Sequence, residues 1–124
     1  MTESVTHNAD FLVDLIGRHR FAFANEDQLH LGLAQMMEQE GIAFEAEVRL
    51  TPADRIDFMV GKVGVEVKVG HSVSSVMRQL YRYAQRPEID ELLLVTTRAP
   101  HASVPETING KPVKFVFLGW GMLG

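Results

Sequence analysis

Apolar residues recur with a helical period over the first third of the chain. Phe11, Leu12, Leu15 and Ile16 mark a helix over Ala9–Arg18, with Asn8 as its cap and Gly17 near its end. A second helix is expected to start from the Asn25 cap. Glu26 and Asp27 suit its first turn, Leu29, Leu33, Met36 and Met37 form its apolar face, and Gly41 stops it. Beyond Gly41 the period drops to two. Phe44, Ala46 and Val48 alternate with Glu45, Glu47 and Arg49, which reads as a strand. Thr51-Pro52-Ala53-Asp54 is a turn. Arg55–Val60 and Val63–Val69 are two more strands joined by a tight turn at Gly61-Lys62, so the three form an antiparallel meander.

A third helix is expected over Ser72–Gln85, with Val73, Val76, Met77, Leu80 and Ala84 on its apolar side and Pro87 beyond its end. Leu92-Leu93-Leu94-Val95 has the unbroken apolar character of a buried strand. Pro100–Gly110 reads as a loop or a short helical turn, and Val113–Leu118 as a last strand. The order α-α-β-β-β-α-β-β is satisfied by one α/β (α+β) domain spanning 1–124, with a mixed sheet and helices on its faces.

Strand alternation then sorts the side chains. In the third strand the four valines point to a core, and Gly64, Glu66, Lys68 and Gly70 point away from it. Glu66 and Lys68 share a face, about 7 Å apart at ~3.3 Å per residue. In the second strand the alternation puts Ile56, Phe58 and Val60 on one face and Arg55, Asp57 and Met59 on the other. Pairing through Gly61-Lys62 brings Asp57 beside Glu66.

Composition narrows the chemistry. The absence of cysteine removes disulfides, thiolate metal sites and cysteine nucleophiles. The net charge of -4 weighs against binding nucleic acid by bulk charge and leaves that task to local basic patches. The apolar runs are short and interrupted, so no membrane span is expected, and the N-terminus carries no signal-peptide pattern. A cytoplasmic location is the corresponding expectation. Two converging carboxylates repel each other unless a cation lies between them. Hard oxygen ligands without His or Cys suit Mg²⁺ or Mn²⁺, and the Val67 carbonyl can add a third oxygen. Lys68 beside such a site can orient a water or stabilise charge on a phosphate.

Asp57 followed by Glu66-Val67-Lys68 resembles the signature of the PD-(D/E)XK nuclease superfamily, with Ile56 at the position of the name's proline. Gln79-Leu80-Tyr81-Arg82-Tyr83 in the next helix resembles the Gln-x-x-x-Tyr motif of its RecB-like branch, and Glu26 matches an additional acidic residue of the preceding helix. The resemblance covers about residues 25–97. It implies a restriction-endonuclease-like αβββαβ core and a Mg²⁺-dependent nuclease (Mg²⁺ or Mn²⁺ as cofactor) acting on DNA or, less often, RNA. Asp57, Glu66 and Lys68 would be catalytic, and Glu26, Asp57, Glu66 and Val67 would hold metal. Gln79, Tyr83, Arg82 and Arg86 would bind substrate. The cysteine-free sequence excludes the iron–sulfur members of that branch.

Gln79 and Tyr83 also share a helical face, with Ser75, Arg82 and Arg86 on or near it. His71 directly follows the catalytic strand and is placed to line the cleft; Arg55 pairs with Asp57 or is exposed. Two other functions fit the same residues: a non-catalytic nucleic-acid-binding or assembly module, and a hydrolase of RNA or another phosphodiester such as a nucleotide second messenger. The apolar stretch Val113–Trp120 with Met122 and Leu123 points to a homodimer or larger assembly, or else packs under the first helix.

Overall fold

The computed structural model describes residues 7–119. Helices α1 (Ala9–Gly17) and α2 (Glu26–Gln39) begin where their caps predict. The Asn8 side chain accepts from the Phe11 N–H and that of Asn25 from the Gln28 N–H, both at 2.8 Å. Strands β1 (Glu45–Arg49), β2 (Arg55–Val60) and β3 (Val63–Lys68) form the expected antiparallel meander. Helix α3 (Val73–Ala84), capped by Ser72, crosses over to β4 (Glu91–Thr96), which runs parallel to β3. A 3₁₀ turn (Ala99–Ser103) and a two-residue strand β5 (Thr107–Ile108) precede β6 (Lys111–Phe117). Sheet order is β1-β2-β3-β4-β6-β5, with β6 parallel to β4 and β5 antiparallel to β6. Strand β5 carries too few residues to show a period and lies inside the stretch read as loop.

The sheet separates two apolar layers. Leu12, Leu15 and Ile16 of α1 and Leu29, Leu33 and Met36 of α2 pack against Phe58, Val63, Val65, Val67, Leu93, Val95 and Val116. Val76, Leu80, Tyr83 and Ala84 of α3 pack on the other side against Ile56, Met59, Leu92, Leu94 and Val113. Strand β4 serves both layers with alternate leucines, which explains its unbroken apolar run. Gly64 keeps this arrangement close. A Cβ there would lie 2.6 Å from Ile56 Cδ1 and 3.1 Å from Ile89 Cδ1.

Alternation does not hold through the β1–β2 ribbon. Ile56 packs on the α3 side while Phe58 and Val60 pack on the α1–α2 side, and likewise Val48 and Phe44 part company. The expectation that Ile56, Phe58 and Val60 share a face is therefore corrected. The reason is local: Glu47 adopts a left-handed backbone, φ 54°, within β1. The register on either side of it, Ala46 with Phe58 and Val48 with Ile56, places Asp57 opposite. Both strands change face at this level.

The C-terminal apolar stretch is partly used inside the fold. Val116 and Leu118 join the layer under α1, and Val113 joins the α3 layer. Phe117 remains exposed, and residues 120–124 lie outside the described residues. Among the described residues no helix is long and apolar enough to cross a membrane.

Candidate active site

The β2–β3 ladder runs from Val60–Val63 through Phe58–Val65 and then stops. Beyond that point the edge of β3 facing β2 is served by carboxylates. Asp57 Oδ2 accepts the Val67 N–H at 2.7 Å, and Glu26 Oε1 accepts the Val69 N–H at 2.9 Å. In an extended strand a residue's carbonyl points to the same edge as its N–H, so the Val67 carbonyl faces outward between the two carboxylates. Asp57, Glu26 and Val67 line one cleft with His30, Glu47 and Arg55, a space of about 390 Å³.

Glu66 sits behind this edge, only 2 % exposed. Its Oε1 accepts the Asp57 N–H at 3.3 Å, and its Oε2 lies 3.0 Å from Lys68 Nζ and 3.4 Å from the Tyr83 hydroxyl. Burial, reinforced by the negative Asp57, pushes the Glu66 carboxyl up to about 8, and Lys68 opposes that shift only in part. Burial and the same carboxylates raise the Tyr83 phenol too, so it stays a donor.

Glu26 lines the same cleft as Asp57 and Val67. Its Oε1 also meets His71 Nε2. Among the described residues no three His, Asp or Glu side chains cluster closely enough to hold an ion by themselves. The oxygens lining the cleft include the Asp57 and Glu26 carboxylates and the Val67 backbone, and Glu66 lies behind them against the Asp57 N–H. That set suits Mg²⁺, which binds through one or two carboxylates and keeps several waters.

The expected substrate residues of α3 are placed differently. Tyr83 is fully buried, because Val76, Leu80, Tyr83 and Ala84 together form the face of α3 that packs on the sheet. Its hydroxyl donates to the Arg55 carbonyl at 3.0 Å and reaches Glu66, so it braces the acid and does not meet substrate. Gln79 is half-buried one turn earlier, and no hydrogen bond joins it to Lys68. Arg82 Nε is bound to the buried Asp54 at 2.8 Å. Arg86 pairs with Glu88 at 3.2 Å, and its carbonyl accepts from Lys111. Arg55 approaches Glu47 at 3.9 Å, not Asp57.

A second group was not legible in the sequence. After β3 the chain turns through Gly70 and His71, both left-handed at φ 84° and 69°. The His71 carbonyl accepts from Arg98 Nη1 at 2.7 Å and from His101 Nε2 at 3.0 Å. His101 is fully buried, and its Nδ1 lies 2.6 Å from Thr96 Oγ1, which itself accepts the Arg98 N–H. Because Nε2 faces a carbonyl it donates there, and Nδ1 shares a hydrogen bond with the threonine hydroxyl. An isolated histidine and a threonine at a strand end carry no spacing that announces this. Compared with known proteins, the chain matches no family model, no curated protein and no solved structure.

Proposed function

We propose that this chain is a divalent-metal-dependent nuclease of the PD-(D/E)XK type, with a restriction-endonuclease-like core, that hydrolyses phosphodiester bonds of DNA. The observation that supports this reading is the pair Asp57 and Glu66 at the place where β2 leaves β3, with Lys68 Nζ 3.0 Å from Glu66. Carboxylates that merely close a strand edge have no need of Glu66, which stands almost fully buried next to a second acid. Such an arrangement disfavours its charge and is typical of sites built for a cation or for proton transfer.

Asp57, Glu66 and the Val67 carbonyl would hold Mg²⁺ or Mn²⁺. When bound, the ion supplies Lewis-acid polarisation of the phosphate and lowers the pKa of a water. The chain's own residues do the positioning. The Val67 N–H fixes one Asp57 oxygen, and the Tyr83 hydroxyl and the Asp57 N–H fix both Glu66 oxygens. Lys68 Nζ lies against Glu66 Oε2 at 3.0 Å. With a cation held at the carboxylates, the Lys68 ammonium would be free to turn its donors to the attacked phosphate and stabilise the negative charge that develops there. The Gly70–His71 turn holds Glu26 at the cleft wall, where it can order water.

Supercoiled plasmid and single-stranded circular DNA incubated with the protein test the proposal. Cleavage that requires Mg²⁺ or Mn²⁺ and stops with EDTA is expected. Intact DNA of both forms with either metal contradicts it.

A further inference from the structure

We propose that Arg98 is a phosphate-binding residue of this site, holding a backbone phosphate of the nucleic-acid strand beside the one that lies at the carboxylates; the assignment rests on the nuclease reading above. The Thr97 N–H donates to the Lys68 carbonyl at 3.1 Å, which sets Arg98 alongside the end of β3. Its Nη1 is fixed on the His71 carbonyl at 2.7 Å, and the His71 ring reaches the Glu26 carboxylate in the cleft. One residue thus links Arg98 to the cleft wall.

The anchor is rigid, and it is more than a carbonyl needs. His71 O already accepts from the buried His101, which is held by Thr96. Arg98 is therefore not required to satisfy that oxygen. Its side chain is exposed, and among the described residues no carboxylate pairs with it, whereas Arg55, Arg82 and Arg86 each face an acid. A guanidinium has five N–H donors, and one is used. The rest form a planar fork of the kind that takes phosphate oxygens in pairs. In a chain of net charge -4, a guanidinium held without an acid next to a catalytic strand is a placed charge.

The experiment uses fluorescence anisotropy with labelled oligothymidine and a labelled duplex, in Ca²⁺ without Mg²⁺, across a salt series. Arg98→Ala is expected to weaken binding at least about fivefold and to make the slope of log K against log salt shallower by about 0.7 to 0.9, the loss of one phosphate contact. Arg98→Gln retains a donor for the His71 carbonyl without the charge and is expected to show the same change in slope. Arg98→Lys keeps the slope but loses part of the affinity with the fork. Unchanged affinity and slope in both Ala and Gln variants overturn the proposal. Cleavage by the unsubstituted protein in Mg²⁺, measured alongside, separates the two readings. Arg98-dependent binding without cleavage removes the nuclease and keeps this contact, and cleavage with Arg98-independent binding does the reverse. An unsubstituted protein that binds neither probe contradicts both.

Discussion

The Asp57 carboxylate accepts the Val67 N–H at 2.7 Å, in the position where a continuing β2 would have offered a backbone carbonyl. This bond gives Asp57 a structural role, beside the metal-binding one proposed above. Asp57→Asn keeps an oxygen for Val67 and removes a negative charge from beside Glu66. The variant should fold, melt at the same temperature or higher, and lose cleavage by about a hundredfold or more. Thermal melting and initial cleavage rates check both halves.

Glu66 makes stability depend on pH. Its carboxyl rises from the ordinary 4.5 to about 8 in the folded protein, through burial first and Asp57 second. Between these values the folded state holds a proton that the unfolded state has released. Stability is therefore greatest at the acid side of the window, falls as pH rises through it by at most about 1.4 kcal/mol per unit, and levels off above. Denaturant titrations at several pH values should show this slope, and Glu66→Gln should flatten it. Saturating Mg²⁺ should flatten it too, because a cation favours the carboxylate form.

Tyr83 supports Glu66 from behind the sheet. Tyr83→Phe keeps the buried ring and leaves the Arg55 carbonyl and Glu66 without their hydroxyl partner. A loss of about 1 to 3 kcal/mol in stability is expected, with a smaller loss of cleavage than for Asp57→Asn. Equal stability of the two proteins in urea would contradict the bracing role.

The face change of the β1–β2 ribbon can be tested at Gly64. Gly64→Ala places a methyl 2.6 Å from Ile56 Cδ1, which faces α3 only because the ribbon turns over at Glu47 and Asp57. Overpacking by about 1 to 3 kcal/mol is expected. Ile56→Ala in the same chain should recover part of that cost, and a double-mutant cycle with no coupling would place Ile56 elsewhere.

These sites show where sequence reasoning reaches and where it stops. The helix caps and the valine face of β3 follow from local periods, and the structure has them; Asp57 meets Glu66 through its backbone N–H, at the level where the period of two breaks. Ile56 and Tyr83 depart from their expected faces for different reasons. A period of two assumes an unbroken strand, and nothing at Glu47 signals a left-handed residue. Tyr83 carries a hydroxyl and so read as polar, yet at seven residues after Val76 it belongs to the buried side of α3. The partner of Arg82, Asp54, lies in a turn 28 residues away, so no local pattern shows that this arginine is paired. The His71, Thr96, Arg98 and His101 group is assembled wholly by tertiary contact, so no local pattern could reveal it.

Crystals soaked in Mn²⁺, with anomalous scattering to locate the ion, address the central claim most directly. The account predicts a peak in the gap between β2 and β3, bonded to Asp57, Glu66 and the Val67 carbonyl, with Lys68 drawn off Glu66. A soaked crystal whose gap holds no ion, with Lys68 still seated on Glu66, would contradict it.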